Sequence, residues 1–258
     1  MIYMNFHQLK HIMQTAWMIM QKLILSSSLV KRRNIHLLKQ IHHMGVSSIV
    51  IVLIASWFIG MIFTFQVARE LTYLNASNLV GAILTITFLR ELTPVLTAII
   101  VASRIGSSYT AEIASMQVTH QIDVLYVLHI DPVQYLIRPR VISCLIMLPL
   151  LNILGLATSI ASSIYIANIL YDIAPITFVH SSFSSIYILD VIYSFVKTLV
   201  FGLVIGIISC TYGFTASGGS LSIGKATTAS VVSILLLVFM IDFLLSLVMF
   251  HDAKSFIY

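Results

Sequence analysis

The sequence predicts an all-α membrane protein: five transmembrane helices, an N-terminal interfacial amphipathic helix and a further helix on the inner (cytoplasmic or stromal) side. Hydrophobic residues make up 59% of the 258 residues and charged residues only 9%, whereas soluble domains carry about 25% charged residues. Because so little charge cannot cover a soluble surface of this size, most of the surface must face lipid. The net charge of +5 therefore does not indicate a nucleic-acid-binding protein.

The N-terminal region, residues 1–43, predicts an amphipathic helix in the inner interface of the membrane. Apolar residues recur there at helical spacing, and histidine, lysine and glutamine fill the other face. The apolar positions are Phe6, Leu9, Met13, Ala16, Trp17, Met20, Leu23 and Ile24. An ordinary packing helix is the alternative. His7 and His11 are spaced like metal ligands, but no third ligand is near, so no metal site is predicted.

Five apolar runs follow in a single domain, residues 44–258, and each is long enough to cross a bilayer. They lie at about 44–67, 79–101, 141–168, 191–212 and 229–250. No acidic residue precedes Glu70, whereas the loop at 169–190 carries aspartates and neither lysine nor arginine. Since positive residues stay on the inner side, this asymmetry predicts an inside N-terminus and an outside C-terminus.

Four charged residues lie inside these runs: Arg90, Glu91, Lys197 and Asp242. A charge at the centre of a membrane helix costs about 2.5–3.5 kcal/mol on insertion scales, so these residues must pair or face a polar cavity. Two interpretations remain open, namely structural ion pairs that join helices, or a polar patch that meets a charged group of a substrate. Pro94 predicts a kink beside the Arg90–Glu91 pair.

The inner segment at about 104–131 predicts short helices rather than a span. Ile122, Leu125 and Leu128 share one helical face, and Asp131-Pro132 is typical of a helix N-cap followed by a first-turn proline. An amphipathic helix here fits a groove on a partner protein. The alternative is a plain connecting loop, for which the segment is long.

A glycine-rich stretch, residues 219–225, matches the spacing G-x-x-x-x-G-K of a phosphate-binding loop. Such a loop needs serine or threonine next, but Ala226 stands there, and it needs a preceding strand in an α/β domain. The stretch therefore predicts an irregular turn instead. No nucleophile elbow or H-E-x-x-H motif occurs, so the sequence predicts no enzyme.

Several motifs resemble the MlaE permease family. They are LRELTPVLTA at 89–98, ASRIG at 102–106, TAEIASMQVT at 110–119, QIDVL at 121–125, DP at 131–132, YLIRPR at 135–140, GKATT at 224–228 and DF at 242–243. The resemblance covers about residues 44–250. Similar sequences include the plastid lipid permeases of the TGD system and their plastid-encoded algal relatives.

The resemblance implies a permease subunit of an ABC transporter that moves glycerophospholipids or related lipids. It implies a homodimer, a separate ABC ATPase that binds ATP and magnesium, and an MCE-domain substrate-binding protein. This chain itself would bind no cofactor, metal or nucleic acid. Arg90, Glu91, Lys197 and Asp242 match positions in or near the lipid pathway of the family. The residues that match its ATPase-coupling helix are Glu112, Met116, Thr119, Gln121, Asp123 and Leu125.

Two other functions remain open from the residues. In an ion-coupled secondary transporter or channel, Glu91 and Asp242 would relay protons or cations. In a structural scaffold, the inner segment would only recruit partners. The high isoleucine and serine content and the short chain favour a plastid (chloroplast) inner envelope, with a bacterial inner membrane as the alternative.

Overall fold

The computed structural model describes residues 6–25 and 34–251, and in this part of the chain the secondary structure is helical, with no strand. The α-helices are α1 (Phe6–Leu25), α2 (Asn34–Tyr73), α3 (Val80–Thr87), α4 (Thr93–Val101), α5 (Ser107–Val118), α6 (Gln121–Val127), α7 (Arg138–Tyr171), α8 (Pro175–Ser185), α9 (Ile188–Phe214) and α10 (Ser220–His251). Three π-turns interrupt them at Phe88–Leu92, Ala102–Gly106 and Val133–Ile137. They are called the first, second and third π-turn below.

The five predicted spans are confirmed within the described residues. The helical stretches that are long and apolar enough to cross a membrane are Leu37–Tyr73, Ser77–Val118, Val133–Tyr171, Ile188–Phe214 and Ser220–Met249. Many large apolar side chains on them are exposed, among them Ile54 and Phe58 on α2 and Leu236 and Phe243 on α10. Such exposure suits a lipid environment, in which apolar side chains need no cover from water. The chain is an integral membrane protein.

The second span is much longer than its apolar run. The sequence predicts an end at residue 101, but helical structure continues from Ser77 to Val118. The first and second π-turns interrupt the regular α-helix within this stretch. The first ends two residues before Pro94, which lacks a backbone N–H donor. The stretch ends where His120 adopts a left-handed conformation, with φ of 56°. Since such a residue cannot continue an α-helix, α6 begins in a new direction.

The contacts group the chain into two compact units. The first unit comprises Met1–Met44, Val101–Met147 and Val200–Ile241, and the second comprises Gly45–Ile100, Leu148–Leu199 and Asp242–Tyr258. The boundaries fall inside α2, α4, α7, α9 and α10. Each of these helices therefore contributes residues to both units.

The core of the first unit joins the inner segment to the N-terminal helix. Its buried residues are Ile19, Ile113, Ile122, Val133, Leu136, Ile137, Val141, Ile207 and Cys210. Ala16 and Met20 of α1 pack against it, so α1 is a helix that packs on the protein by one face. Trp17, expected on that apolar face, is instead exposed beside Met18. The side chains of His7 and His11 lie outside those that the structure describes.

The start of the third span agrees with the sequence. The backbone N–H of Val133 donates to Oδ1 of Asp131 at 3.1 Å, and the helical structure begins at Pro132. Asp131 thus acts as the predicted N-cap, with proline at the first helical position, where its missing N–H costs nothing. Lys22 of α1 lies 3.5 Å from the other oxygen of Asp131.

The second unit contains a helix, α8, that the sequence did not predict. Residues 169–190 were predicted to form the outside connection between two spans, and α8 is a helix within that connection. Pro175 opens α8, Phe178 is buried in the core of this unit, and Gly81 of α3 lets the two helices approach closely. A Cβ at Gly81 would lie 2.4 Å from the backbone oxygen of Phe178. The periodicity of such a short helix, rich in serine, is too weak to be read from sequence.

Candidate functional site

The second unit brings together all four charges that the sequence places inside the spans, and adds a fifth. The five residues, called the charge cluster, are Arg90, Glu91, Asp190, Lys197 and Asp242. Three helical elements contribute them. Arg90 and Glu91 lie in the first π-turn, Asp190 and Lys197 lie on α9, and Asp242 lies on α10. Because all five belong to the second unit, their contacts lie within one compact body.

The first π-turn explains how two neighbouring residues can both face α9. In an α-helix, consecutive side chains point about 100° apart, and a π-turn changes this angle by widening the helix. The guanidinium of Arg90 meets Asp190, with Nε 2.9 Å from Oδ1 and Nη2 donating to Oδ2 at 3.1 Å. The carboxylate of Glu91 meets Lys197, with Nζ 2.9 Å from Oε2. π-turns often occur at functional sites.

Asp190 and Lys197, the partners of Arg90 and Glu91, lie on the same face of α9. Asp190 and Lys197 are two helical turns apart, so their side chains lie above one another. Asp190 was not predicted as a member of the cluster because it lies at the edge of the fourth span, at the end of the predicted outside loop. Its heptad spacing from Lys197 was the signal that could have found it.

Pro94 leaves one backbone carbonyl of the first π-turn without its usual hydrogen-bond donor. The residue four positions before a proline cannot receive the usual helical hydrogen bond, so the carbonyl of Arg90 is left without that donor. Nζ of Lys197 donates to this carbonyl oxygen at 2.9 Å. Pro94, at which the sequence predicts a kink, therefore leaves a backbone acceptor for the buried lysine.

Helix α10 completes the surroundings of Lys197. Nζ donates to Oγ of Ser246 at 2.8 Å and lies 3.0 Å from Oδ1 of Asp242. Ser246 in turn donates its hydroxyl proton to Oε1 of Glu91 at 2.9 Å. Asp242 and Ser246 are one turn apart, which places both on the same face of α10. Lys197 thus ties α10 to the first π-turn.

The exposure of the five side chains separates them into two groups. Lys197 and Asp190 are buried, with 0% and 4% of the side chain exposed, and Asp242 has 16% exposed. Arg90 and Glu91 are more open, with 31% and 41% exposed. A molecule that reaches the cluster would therefore meet Arg90 and Glu91 first, whereas Lys197 is enclosed by its own acceptors.

The predicted coupling residues lie in the first unit, and they divide between the core and the surface. Met116 and Leu125 pack against the core. Glu112 accepts a hydrogen bond from Nη2 of Arg140 at 2.7 Å, so its carboxylate is engaged within the chain. The remaining predicted residues, Thr119, Gln121 and Asp123, are exposed.

Exposed apolar side chains accompany those polar residues on α6 and the turn after it. They are Val124, Tyr126, Val127, Leu128 and Ile130. The sequence had placed Leu128 on the apolar face with Ile122, but Leu128 lies beyond the end of α6, and only Ile122 is buried. This set, together with Thr119, Gln121 and Asp123, is called the α6 surface.

The glycine-rich stretch 219–225 forms no loop around a ligand. Ser220 begins α10, and both Gly224 and Lys225 lie inside that helix. Nothing lies within 4 Å of a Cβ built at Gly219 or Gly224. The predicted irregular turn is therefore wrong for residues 220–225, which are the first turns of α10; the irregular backbone is confined to residues 215–219. The buried Cys144 and Cys210 are free thiols.

Comparison with known families identifies the chain. The family model described as "Permease MlaE" matches residues 37–248, which is most of the chain and includes the whole charge cluster. The chain belongs to the MlaE permease family. A relative from Pyropia yezoensis, named probable ABC transporter permease protein ycf63, is 45% identical over 91% of this chain and 89% of its own length.

Two further similar proteins come from a cyanobacterium and a plant. A protein of Synechocystis sp., named probable ABC transporter permease protein slr1045, is 44% identical over 86% of this chain and 84% of its own length. The protein TRIGALACTOSYLDIACYLGLYCEROL 1, chloroplastic, of Arabidopsis thaliana is 39% identical over 84% of this chain and 62% of its own length. The predicted family is confirmed, and an ABC transporter permease implies an ATPase partner.

Proposed function

We propose that this chain is the permease subunit of an ABC transporter that moves glycerophospholipids or related lipids, with ATP hydrolysed by a separate subunit. The observation that carries this proposal is a charge cluster with a partly open Arg90–Glu91 face, held among largely apolar membrane spans. A lipid has the same division into a polar headgroup and apolar chains. The name of the Arabidopsis relative is that of a galactosylated diacylglycerol, which also supports a lipid.

In this function the open face of the cluster meets the headgroup. Arg90 is the more exposed cation of the cluster, whereas Lys197 is buried and directs its donors to acceptors of its own chain, so a phosphate or a sugar hydroxyl would meet Arg90 first. Lys197 positions Glu91 and the first π-turn instead of binding lipid. The predicted pathway residues therefore have two roles. Arg90 and Glu91 contact the lipid headgroup, and Lys197 holds Glu91 and the first π-turn in position.

The partners follow from surfaces that the chain leaves open. The α6 surface combines exposed apolar and polar side chains on a short helix, which suits docking into a groove of the ATPase. Helix α10 has only 11% of its most apolar stretch buried, which suits contact with lipid and with a second copy of the chain. An MCE-domain protein would supply or receive the lipid, and the plastid inner envelope is the proposed membrane.

The first experiment is native mass spectrometry of the complex purified through this chain. A dimer that carries two ATPase subunits and bound phospholipid or galactolipid is the expected result, and the bound lipid names the substrate class. A chain that never copurifies with a nucleotide-binding protein would overturn the proposal in favour of ion-coupled transport.

A flux assay in liposomes tests the role of the open face. Lipid transfer should require ATP and should be unaffected by an ionophore that collapses ion gradients. Glu91→Ala should reduce the transfer rate about tenfold or more while the complex still assembles, if the lost contact is worth about 1.4 kcal/mol. Thr158→Ala on α7, far from the cluster in sequence and engaged only with its own helix backbone, is the control.

A further inference from the structure

Helix α8, in the connection between the third and fourth spans, runs beside α3 in the same direction. Near the start of both helices, Asn78 and Thr177 line one cavity. Further along, Oγ of Ser182 lies 3.2 Å from the carbonyl oxygen of Gly81, and the hydroxyl of Thr85 donates to the same Oγ at 3.0 Å. Residue numbers therefore increase together along the two helices, so α8 points into the bundle as α3 does.

The first turn of α9 continues this series of contacts. Oδ1 of Asp190 lies 2.9 Å from Nε of Arg90. Arg90 stands 11 residues beyond residue 79, where the second apolar run begins, which is about 16 Å along a helix. Thr85, the partner of Ser182, stands about 9 Å along it. The second half of α8 and the start of α9 thus lie below the level at which the second span enters the membrane.

The exposed face of α8 is apolar and carries no charge. Residues 175–185 include no lysine, arginine, aspartate or glutamate. Phe178 and Ser182 are buried on the side that packs against α3. Ile176 and Phe183, two turns apart and therefore on one face, are exposed. An uncharged helix with large apolar side chains on its free face is unsuited to water.

The same apolar surface continues from α8 onto a membrane span. The next exposed apolar side chains along the chain are those of Tyr187, Ile188, Val191, Ile192 and Phe195, and the charged residue among them, Asp190, is buried. The last four belong to α9, which is long and apolar enough to cross the membrane. Because no exposed charge separates the two helices, the acyl chains that surround α9 also suit the free face of α8.

We propose that α8 is embedded in the bilayer leaflet on the predicted outer side, where it forms the first part of the fourth membrane passage and contacts lipid through Ile176 and Phe183. The fourth passage is then a broken helix, interrupted at residues 186–187, just before Asp190 of the charge cluster. Breaks in the membrane helices of transporters often lie beside binding sites. This proposal concerns the surroundings of α8 and does not depend on which substrate is moved.

Spin labels in the purified complex, reconstituted in lipid nanodiscs, measure what surrounds α8. Phe183→Cys carries the label on α8, and Leu74→Cys carries it in the turn after α2, where the native side chain is equally exposed, 73% against 75%. Phe58→Cys on α2 is the reference within a span. Paramagnetic resonance records collisions with oxygen, which concentrates among acyl chains, and with a nickel chelate that stays in water. Cys144 and Cys210 are buried, and the unsubstituted complex corrects for any label that they take.

We expect the label at Phe183 to collide more with oxygen than with nickel, as at Phe58, and the label at Leu74 to show the reverse. Ile176→Cys repeats the measurement on the same face of α8, so a complex that fails to assemble with Phe183→Cys does not leave the question open. Nickel collisions as frequent on α8 as at Leu74 would place α8 in water and overturn the proposal. Protection from both reagents would place α8 beneath a partner protein and would also overturn it. Neither result bears on whether the transporter moves lipid.

Discussion

Lys197 in the second unit and Arg140 in the first are both buried cations, but they are surrounded differently. Arg140 has one carboxylate partner, Glu112 at 2.7 Å, and its Nη1 donates to the oxygen of Leu136. Its guanidinium also lies over the ring of Tyr109, 5.5 Å from the ring centre. Lys197 has two carboxylates within 3.0 Å, and a third acid completes its cluster through Arg90.

The difference distinguishes a structural ion pair from a candidate site. Around Arg140 the charges balance, and the pair joins α5 to α7 near the α6 surface. Around Lys197 the acids outnumber the cations, and part of the cluster is open. An imbalance of this kind is costly inside a membrane and is therefore a functional hypothesis by default. The balanced pair needs no function beyond joining helices.

The largest expected effect follows from removing Lys197. Lys197→Met leaves Glu91 and Asp242 without their shared cation, and breaking a buried pair in this way costs about 3–5 kcal/mol. We expect a clear loss of thermal stability of the purified protein in detergent, measured by unfolding. Lys197→Arg keeps the positive charge and should therefore retain part of the thermal stability that Lys197→Met loses. A Lys197→Met variant as stable as the wild type would show that the cluster does not hold the helices together.

A smaller effect is expected at the first unit's pair. A double-mutant cycle with Glu112→Gln and Arg140→Gln should give a coupling of about 1 kcal/mol, because the Glu112 side chain is 40% exposed and water screens the pair. Thermal or denaturant unfolding measures it. If this coupling equalled the loss in Lys197→Met, the comparison between the two cations would fail.

Two serines offer a matched test of the same comparison. Ser246 hydrogen-bonds to Lys197 and Glu91, and Ser143 hydrogen-bonds to Tyr109 and to the backbone of Arg140. Each serine-to-alanine change should cost about 1 kcal/mol of stability, as for a typical buried hydrogen bond. Only Ser246→Ala should also lower lipid flux in liposomes. Equal flux in the two variants would contradict a transport role for the cluster.

The smallest effect is expected at Pro94. Pro94→Ala supplies a backbone N–H that competes with Lys197 for the oxygen of Arg90, and the net change in stability should stay within about 1 kcal/mol. Flux should fall, because the first π-turn loses part of the contact that positions Glu91. Unchanged flux together with higher stability would mean that the proline serves packing alone.

The sequence was informative where chemistry and periodicity are strong. The spans follow from long apolar runs, and the four intramembrane charges stand out because lipid makes each of them costly. The pairing was not predictable, since Arg90 could have met Asp242 and Glu91 could have met solvent. Asp190 was missed at the edge of a span, and the ion pair between Glu112 and Arg140 was not predicted, whereas the contact of Glu112 with a partner stays a prediction.

A five-span permease of the MlaE family with charged groups in its spans could be predicted from the amino acids alone, because hydropathy and local motifs do not depend on the fold. The pairing of the charges, the packing of α8 on α3 and the hydrogen bonds of Lys197 to its own chain are seen only in the folded protein. These depend on helices distant in sequence approaching within hydrogen-bond distance. The first π-turn and the carbonyl freed by Pro94 set that approach.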